Sequence, residues 1–498
     1  MDRGQVGNSP PPGGGAGPDP RRWKALALLC AAYFMVIVDS QIVILALPEI
    51  ESDLGFSAGG VQWVLSAYLL SFGGLLLFGG RTADLLGGRR MFMVGTVLFL
   101  VSSVVCGLAW TSEVLVVTRI IQGIAAAIMA PTAMAVLMTT FGEGSERNRA
   151  LGIWTGIGAF GATAALLIGG PITEGLGWEW IFFINIPIAL VVLVLGPRLL
   201  RETPISEGKR SFDPAGAITI TAAIALLIYA VVEAPEVGWG DGQTIGLIVA
   251  AAVLVVVFAL IEQRAASPLV PLRIFRSPTM VGGNLMMLLV AMATYGGALI
   301  TSLYAQQVLA YTAVFFGLST AIYSAMSIVG SNVSGPVATR FGFKPVAVAG
   351  TVLLGIGTLL LAQVSADGDY FGDLFWGLLV FGSGIGTTVV ASSIAALSGV
   401  RANESGLASG INNSVFQIGA ALGIAVCSSV AMAYTSGPTE RVALTEGFQA
   451  AFFATAAMAG IALVVALVLL LIRQSKPGQS VETGQVGAEQ PTAVASRD

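Results

Sequence analysis

The chain has 498 residues, 55% of them hydrophobic and only 10% charged, with no histidine and a formal net charge of −4. A soluble domain carries about a quarter charged residues, whereas here apolar stretches of the length needed to cross a bilayer recur along nearly the whole chain, which leaves no room for a large soluble domain. Without histidine the usual zinc ligand and the usual acid–base residue at neutral pH are missing.

Residues 1–20 are rich in Gly and Pro and are predicted to form a disordered tail. Arg21, Arg22 and Lys24 precede an apolar run from Ala25 to Pro48, which is too long for the core of a signal peptide and is followed by further spans. The predicted spans are 25–48, 60–80, 91–110, 113–138, 150–173, 179–197, 214–233, 243–262, 279–308, 314–336, 346–364, 371–397, 405–431 and 448–472. The fold class is therefore an all-α membrane protein with fourteen transmembrane helices. Cys30, Cys106 and Cys427 lie far apart inside these stretches and read as small core residues.

With both termini cytoplasmic, every Lys and Arg except Arg119 and Arg441 falls in an inner loop or a tail, while outer loops carry Glu49, Glu51, Asp53, Asp367, Asp369 and Asp373. One missed span would invert the following loops and destroy this positive-inside bias. An internal repeat suggests two lobes. Gly80-Arg-Thr-Ala-Asp84-Leu-Leu-Gly87-Gly-Arg89-Arg90 follows the second span, and Gly335-Pro-Val-Ala-Thr339-Arg-Phe-Gly342-Phe-Lys344 follows the tenth, with Gly, Ala, Gly and a basic residue at the same offsets. Parallel six-helix repeats are one transporter plan. The expected organisation is a tail at 1–20, a six-helix lobe at 21–200, two linking spans within 201–276, a second six-helix lobe at 277–475, and a disordered tail at 476–498.

Asp39 and Arg119 are the charges placed well inside the membrane, where charge is costly and points to function. Asp39 lies roughly 13 Å along the helix before Pro48 and Arg119 roughly 9 Å after Glu113, so the two sit at comparable depth. Either a titrating site or a static ion pair fits that spacing. Gln122, three residues after Arg119, shares its face. The glycines of the 80–90 loop permit a tight reversal, and Asp84 suits a neighbouring helix N-terminus. Polar stripes run along three spans: Ser409, Asn413 and Gln417; Ser319, Tyr323, Ser327 and Ser331; and Asn284, Tyr295 and Ser302. Such stripes line a wet cavity or bond across helices. Gly156-Ile-Gly158-Ala-Phe-Gly161 matches a dinucleotide-binding pattern but lies in a membrane span, where small residues serve close packing.

Several motifs together resemble one family. Val38-Asp39-Ser-Gln-Ile-Val-Ile-Leu-Ala-Leu-Pro48 looks like the first-helix signature of the fourteen-spanner drug:proton antiporters of the major facilitator superfamily. The 80–90 loop resembles that superfamily's loop motif, Arg119-Ile-Ile-Gln122-Gly123 its fourth-helix motif, and Gly177-Trp178-Glu-Trp180-Ile-Phe-Phe-Ile-Asn185-Ile-Pro187 a hairpin of the same branch. The resemblance covers about residues 21–475. One departure is that Ala165-Leu166 stands in place of the Gly-Pro that precedes the Gly169-Gly170 pair in the family's antiporter motif.

The resemblance implies the major facilitator fold and a secondary transporter that exports drugs or antibiotics against proton influx by alternating access. Asp39 and Arg119 would couple the proton, and Gln122, Tyr295, Tyr323, Asn413 and Gln417 would meet substrate. Gly80, Asp84, Gly87, Arg89 and Arg90 would form the gating loop, with Asp84 docking near Glu404–Ser409. The expected partners are a small amphipathic substrate, the proton and the lipid bilayer. No cofactor other than the coupling proton, no metal, no nucleic acid and no enzyme activity are expected, and the protein is expected to be a monomer in a bacterial cell membrane. Export of an endogenous metabolite or lipid, or a non-transporting sensor, are the alternatives.

Overall fold

The computed structural model describes residues 21–57, 60–141, 145–202, 213–265, 268, 270, 272–398, 405–435 and 440–471. The tails expected at 1–20 and 476–498 lie outside this set. All regular elements among the described residues are helices: α1 (Arg22–Leu54), α2 (Trp63–Leu86), α3 (Gly88–Gly107), α4 (Ser112–Thr140), α5 (Ser145–Leu176), α6 (Trp180–Phe183), α7 (Asn185–Leu199), α8 (Pro214–Val237), α9 (Gly242–Arg264), α10 (Pro278–Leu303), α11 (Ala313–Ser319), α12 (Ala321–Phe341), α13 (Phe343–Leu361), α14 (Phe375–Leu397), α15 (Ser405–Ala433) and α16 (Glu440–Leu471). In hydrocarbon the backbone must satisfy its own polar groups, which a helix does within one segment. Short polar side chains start several of them: Thr111, Asp213, Asp241 and Ser277 each accept an N–H from the first turn of the following helix.

Twelve described helical stretches are long and apolar enough to cross a membrane, and the apolar stretches Trp63–Leu76 and Ala215–Val231 lie in two further helices. The arrangement is compatible with fourteen crossings. Exposed valines and leucines at helical spacing, such as Val94, Val97 and Val101 on α3 and Val249, Val253, Val256 and Leu260 on α9, form faces that only lipid would solvate.

The structure adds breaks that hydropathy did not reveal. The span expected at 179–197 is split into α6 and α7 at Ile184, because Pro187 cannot donate to Phe183 and its ring crowds that carbonyl. The span expected at 314–336 is split at Thr320, where the hydroxyls of Ser319 and Thr320 bond back to the Phe316 carbonyl. By contrast α5 runs unbroken through Ala165-Leu166.

In the first half α4 packs on α2 and α3, and α1 packs on α5 and α7. In the second half α10 packs on α14, α15 and α16, and α13 on α14 and α16. The halves meet where α2 lies along α15 and where α5 lies against α11. Helix α8 contacts both α2 and α15 and so covers that seam, while α9 packs mainly on α8. Gly158 and Gly161 seat α5 against Tyr33, Phe34 and Ile37 of α1, so the glycine pattern serves helix packing.

Candidate functional site

The centre of the first half holds a charged cluster in an otherwise apolar core. Arg119 on α4 and Asp39 on α1 are both fully buried, with Nη1 2.6 Å from Oδ2. At an effective dielectric of about 20 such a pair gains about 6 kcal/mol, against a desolvation cost of several kcal/mol per ion. Coulomb attraction alone therefore does not hold it, and the surrounding hydrogen bonds decide. Gln122 Nε2 donates to Asp39 Oδ1 at 2.9 Å, and Asn185 Nδ2 donates to the same oxygen at 2.8 Å. Arg119 Nη1 also donates to Gln122 Oε1 at 2.7 Å, and its Nε donates to the Val64 carbonyl at 2.9 Å. Ser103 Oγ on α3 accepts from Gln122 at 2.7 Å and from Asn185 at 3.2 Å. The guanidinium lies 4.2 Å from the centre of the Tyr68 ring, a cation–π contact that adds to its stabilisation.

Asp39, Arg119 and Gln122 are thus brought together, on one network. Asn185, Ser103 and Tyr68 belong to the same network and sequence reasoning gave them no role. For Asn185 a signal existed, since it is a polar residue enclosed by Phe183, Ile184 and Ile186.

Tyr295 and Tyr323 lie elsewhere, on a small cavity between the halves. Gln41, Ile44 and Leu166 line one side, and Thr294, Thr301, Phe316 and Phe381 join the two tyrosines on the other. Gln41 Nε2 donates to Tyr295 Oη at 2.8 Å across the seam, and Ser302 Oγ donates to the Ile44 carbonyl at 3.2 Å. The cavity volume of about 30 Å³ suits one or two waters and no drug. A wider apolar groove of about 480 Å³ lies between α1 and α5, lined by Trp23, Phe34, Ile153 and Phe160 among others.

Gln417 is buried on α15 facing Gly73 of α2, while Asn413 is exposed and its neighbour Asn412 is the buried one, donating to Asn284 Oδ1 at 3.3 Å. Of the polar stripe on α11 and α12, Tyr323 and Ser327 present backbone to Gly382 and Gly386 of α14, and Ser331 donates to the Gly386 carbonyl, so most of that stripe packs.

The segment expected as a loop at 80–90 is helical except at Gly87, since α2 runs on to Leu86 and α3 starts at Gly88; Gly87 adopts φ +94, a conformation that favours glycine, and a Cβ there would sit 2.6 Å from Glu202 Oε1. That carboxylate accepts the Arg89 N–H at 3.0 Å and lies 3.5 Å from the Arg89 side chain, so Glu202 closes the start of α3. The Arg90 N–H reaches it at 3.4 Å. Gly80 lies near Pro131. The Asp84 side chain and residues 399–404 are outside the described set, so the expected docking of Asp84 near Glu404–Ser409 is too.

On the α5 side the two halves touch at one end. A Cβ at Gly170 of α5 would meet the Ala313 carbonyl oxygen at 2.5 Å, and one at Gly317 of α11 would meet the Leu166 carbonyl. At Gly156, about four turns earlier on nearly the same face, a Cβ would meet nothing within 4 Å. The halves are therefore sealed at the Gly170 end and apart along α5 toward its start.

The profile of the Major Facilitator Superfamily matches residues 29–424 and 284–496. The cephamycin export protein of Amycolatopsis lactamdurans is 35% identical over 91% of this chain and 94% of its own. The puromycin resistance protein of Streptomyces alboniger is 34% identical over 94% of each. The tetracenomycin C resistance and export protein of Streptomyces glaucescens is 35% identical over 82% of this chain and 75% of its own. Among solved structures, a bacterial homologue of the human lysosomal transporter Spinster superposes with a TM-score of 0.65 at 17% identity, covering 93% of this chain and all of the other. The POT family transporter PepTSo gives 0.64 at 16% identity, covering 90% and 97%. With its many apolar helices, its two helical halves and this sequence match, the chain belongs to the Major Facilitator Superfamily of membrane transporters.

Proposed function

We propose that the protein exports small amphipathic drugs or antibiotics across the cell membrane, driven by proton influx through alternating access. The observation that carries this reading is Asp39: a fully buried carboxylate paired with Arg119 inside a helix, α1, whose next turns form the wall of the cavity between the halves. A group whose charge depends on a partner can exchange its proton when that partner moves. The names of the relatives support the substrate class, since three are described as exporting or resisting an antibiotic.

With both termini in the cytoplasm, the sealed Gly170 end faces outward. Asp39 takes up a proton when the cavity faces out, and Arg119 and an arriving substrate favour its release when the cavity faces in. Substrate meets Tyr295, Tyr323 and Gln417 as the cavity widens, and Gln122 holds the ion pair. Asn413, one turn before Gln417 on the same stripe of α15, is exposed and joins them.

The test is flux into inside-out vesicles under an imposed pH gradient, with a panel of puromycin, tetracenomycin C, a cephamycin and lipophilic dyes. Uphill movement of at least one compound that stops in Asp39→Asn, with downhill exchange retained, is the expected result. Equal gradient-driven transport by Asp39→Asn, or no gradient-driven transport of any compound, overturns the proposal.

A further inference from the structure

Asn185 opens α7 with its side chain buried, and through that side chain it bonds Asp39 and Ser103. Among the described residues the side-chain partners of Asp39 are Arg119, Gln122 and Asn185, and all three donate to it. Such a set suits a charged carboxylate, which is acceptor-only. Once Asp39 binds a proton its new O–H requires an acceptor, because a buried donor left without one keeps its full desolvation penalty.

Two of the partners cannot supply that acceptor. A guanidinium has none. Gln122 has an amide oxygen, but Arg119 Nη1 occupies it at 2.7 Å, and turning the amide over would set its NH2 group against the guanidinium. Asn185 has no cation holding it among the described residues. Turning its amide by half a revolution exchanges Nδ2 and Oδ1, and Oδ1 then accepts from the Asp39 O–H. Ser103 permits the turn, since a hydroxyl that accepts from Nδ2 can rotate and donate to Oδ1.

We infer that Asn185 is the positioning residue that serves both protonation states of Asp39, donating to the carboxylate and accepting from the acid after its amide turns over. The inference rests on the proton-coupling reading. The step breaks one O–H bond of a hydronium ion, which is left as water, and forms one O–H bond on Asp39; the turn of the amide changes no covalent bond. The titratable and charged groups facing Asp39 are Arg119 from α4, Tyr68 from α2 and Cys106 from α3, with Tyr295 of α10 beyond Tyr68. α6 and α11 carry no titratable residue, and those of α5 and α7 lie at the helix ends.

The experiment is an infrared pH titration of the purified full-length protein, following the C=O stretch of a protonated carboxylic acid. Asp39→Asn should lack a band that the wild type shows. In Asn185→Leu that band should move to higher frequency, as the acid loses its acceptor. Its midpoint should move to higher pH by about one unit, a roughly tenfold change in proton concentration, because the lost charge-assisted bond is the stronger of the two. Asn185→Ser, which both donates and accepts, should restore much of both properties, and Asn185→Ala serves if the leucine variant does not fold. No difference between wild type and Asp39→Asn sinks the coupling reading. A band that vanishes in Asp39→Asn yet is unchanged in frequency and midpoint in the Asn185 variants overturns this inference alone.

Discussion

Glu174 near the end of α5 accepts the backbone N–H of Val314 at the start of α11, at 2.7 Å, and so bonds one half of the transporter to the other. The same two helices press backbone to backbone at Gly170 and Gly317, where a side chain would meet main-chain atoms rather than a flexible side chain. The seal thus combines close approach with one carboxylate bond.

Gly170→Val should weaken that seal. Its Cβ would meet the Val314 Cα at 2.6 Å, and the backbone must part to admit it. Overpacking of this kind costs about 1–3 kcal/mol, a shift of roughly five- to 150-fold toward the state open at this end. A cysteine introduced at Thr294, on the cavity wall, reports it: labelling by a membrane-impermeant thiol reagent from the Gly170 side should accelerate. An unchanged rate would mean that the glycine contact does not hold the end closed.

The α2–α15 seam carries an opposite kind of strain. Gly73 of α2 packs against Ser414 and Gln417 of α15, and Ser66 on α2 and Gln62 just before it fall at helical spacing from Gly73. Each of these four polar residues has a buried polar atom without a hydrogen-bond partner. Each such atom costs about 1–3 kcal/mol. Replacing Gln62 with Leu and Ser66 with Ala should therefore raise the unfolding temperature of the purified protein, by roughly 1 kcal/mol of stability or more, while slowing transport, since the stripe is better solvated once the seam opens. A lower unfolding temperature would show that these groups are satisfied in place.

Much of this architecture is legible in the sequence because hydrocarbon permits few solutions. Long apolar runs must be helices, and basic residues must sit at one set of ends. The pairing of Asp39 with Arg119 is legible for the same reason, since two opposite charges at equal depth have little else to bond. What is illegible depends on azimuth and on seams. Asn413 falls in a polar stripe with Gln417, yet the helix turns Asn412 inward instead. Asn185 and Ser103 join the charge cluster through helices α7 and α3, whose approach no periodicity reveals. Glu202 lies beyond the last apolar residue of its span, where composition marks only a loop.

Glu202 should matter more to the start of α3 than its exposure suggests. Exposed ion pairs contribute little, so its 3.5 Å approach to the Arg89 side chain is a minor part. Its acceptance of the Arg89 N–H is a cap, and losing a cap costs about 1 kcal/mol. Glu202→Gln should keep most of that bond, whereas Glu202→Ala should lower stability by about 1 kcal/mol and reduce transport with substrate binding retained. Equal transport by the two variants and the wild type would remove the carboxylate from the gating loop's mechanism.

The two members of the buried pair should not be equivalent. Asp39→Asn removes the counter-charge and leaves Arg119 fully buried with only neutral acceptors, Gln122 Oε1, the Val64 carbonyl and the new amide oxygen, while its Nη2 already lacks a partner. A guanidinium cannot shed its charge, so the cost, about 3–5 kcal/mol, persists at every pH. Arg119→Leu leaves Asp39 accepting from Gln122 and Asn185, and a carboxylate can escape an unpaired burial by taking a proton. Its cost should be small in acid, where protons are abundant, and should grow as pH rises. The double variant Asp39→Asn with Arg119→Met removes both charges and should return to within about 1 kcal/mol of the wild type, because a buried pair adds little net stability over apolar replacement. Uphill export by the double variant should remain absent. Thermal unfolding of the three variants at mildly acidic and mildly alkaline pH, beside gradient-driven flux in vesicles, separates the cases. Regained stability without transport assigns the pair to coupling, and regained transport would make it a structural clasp.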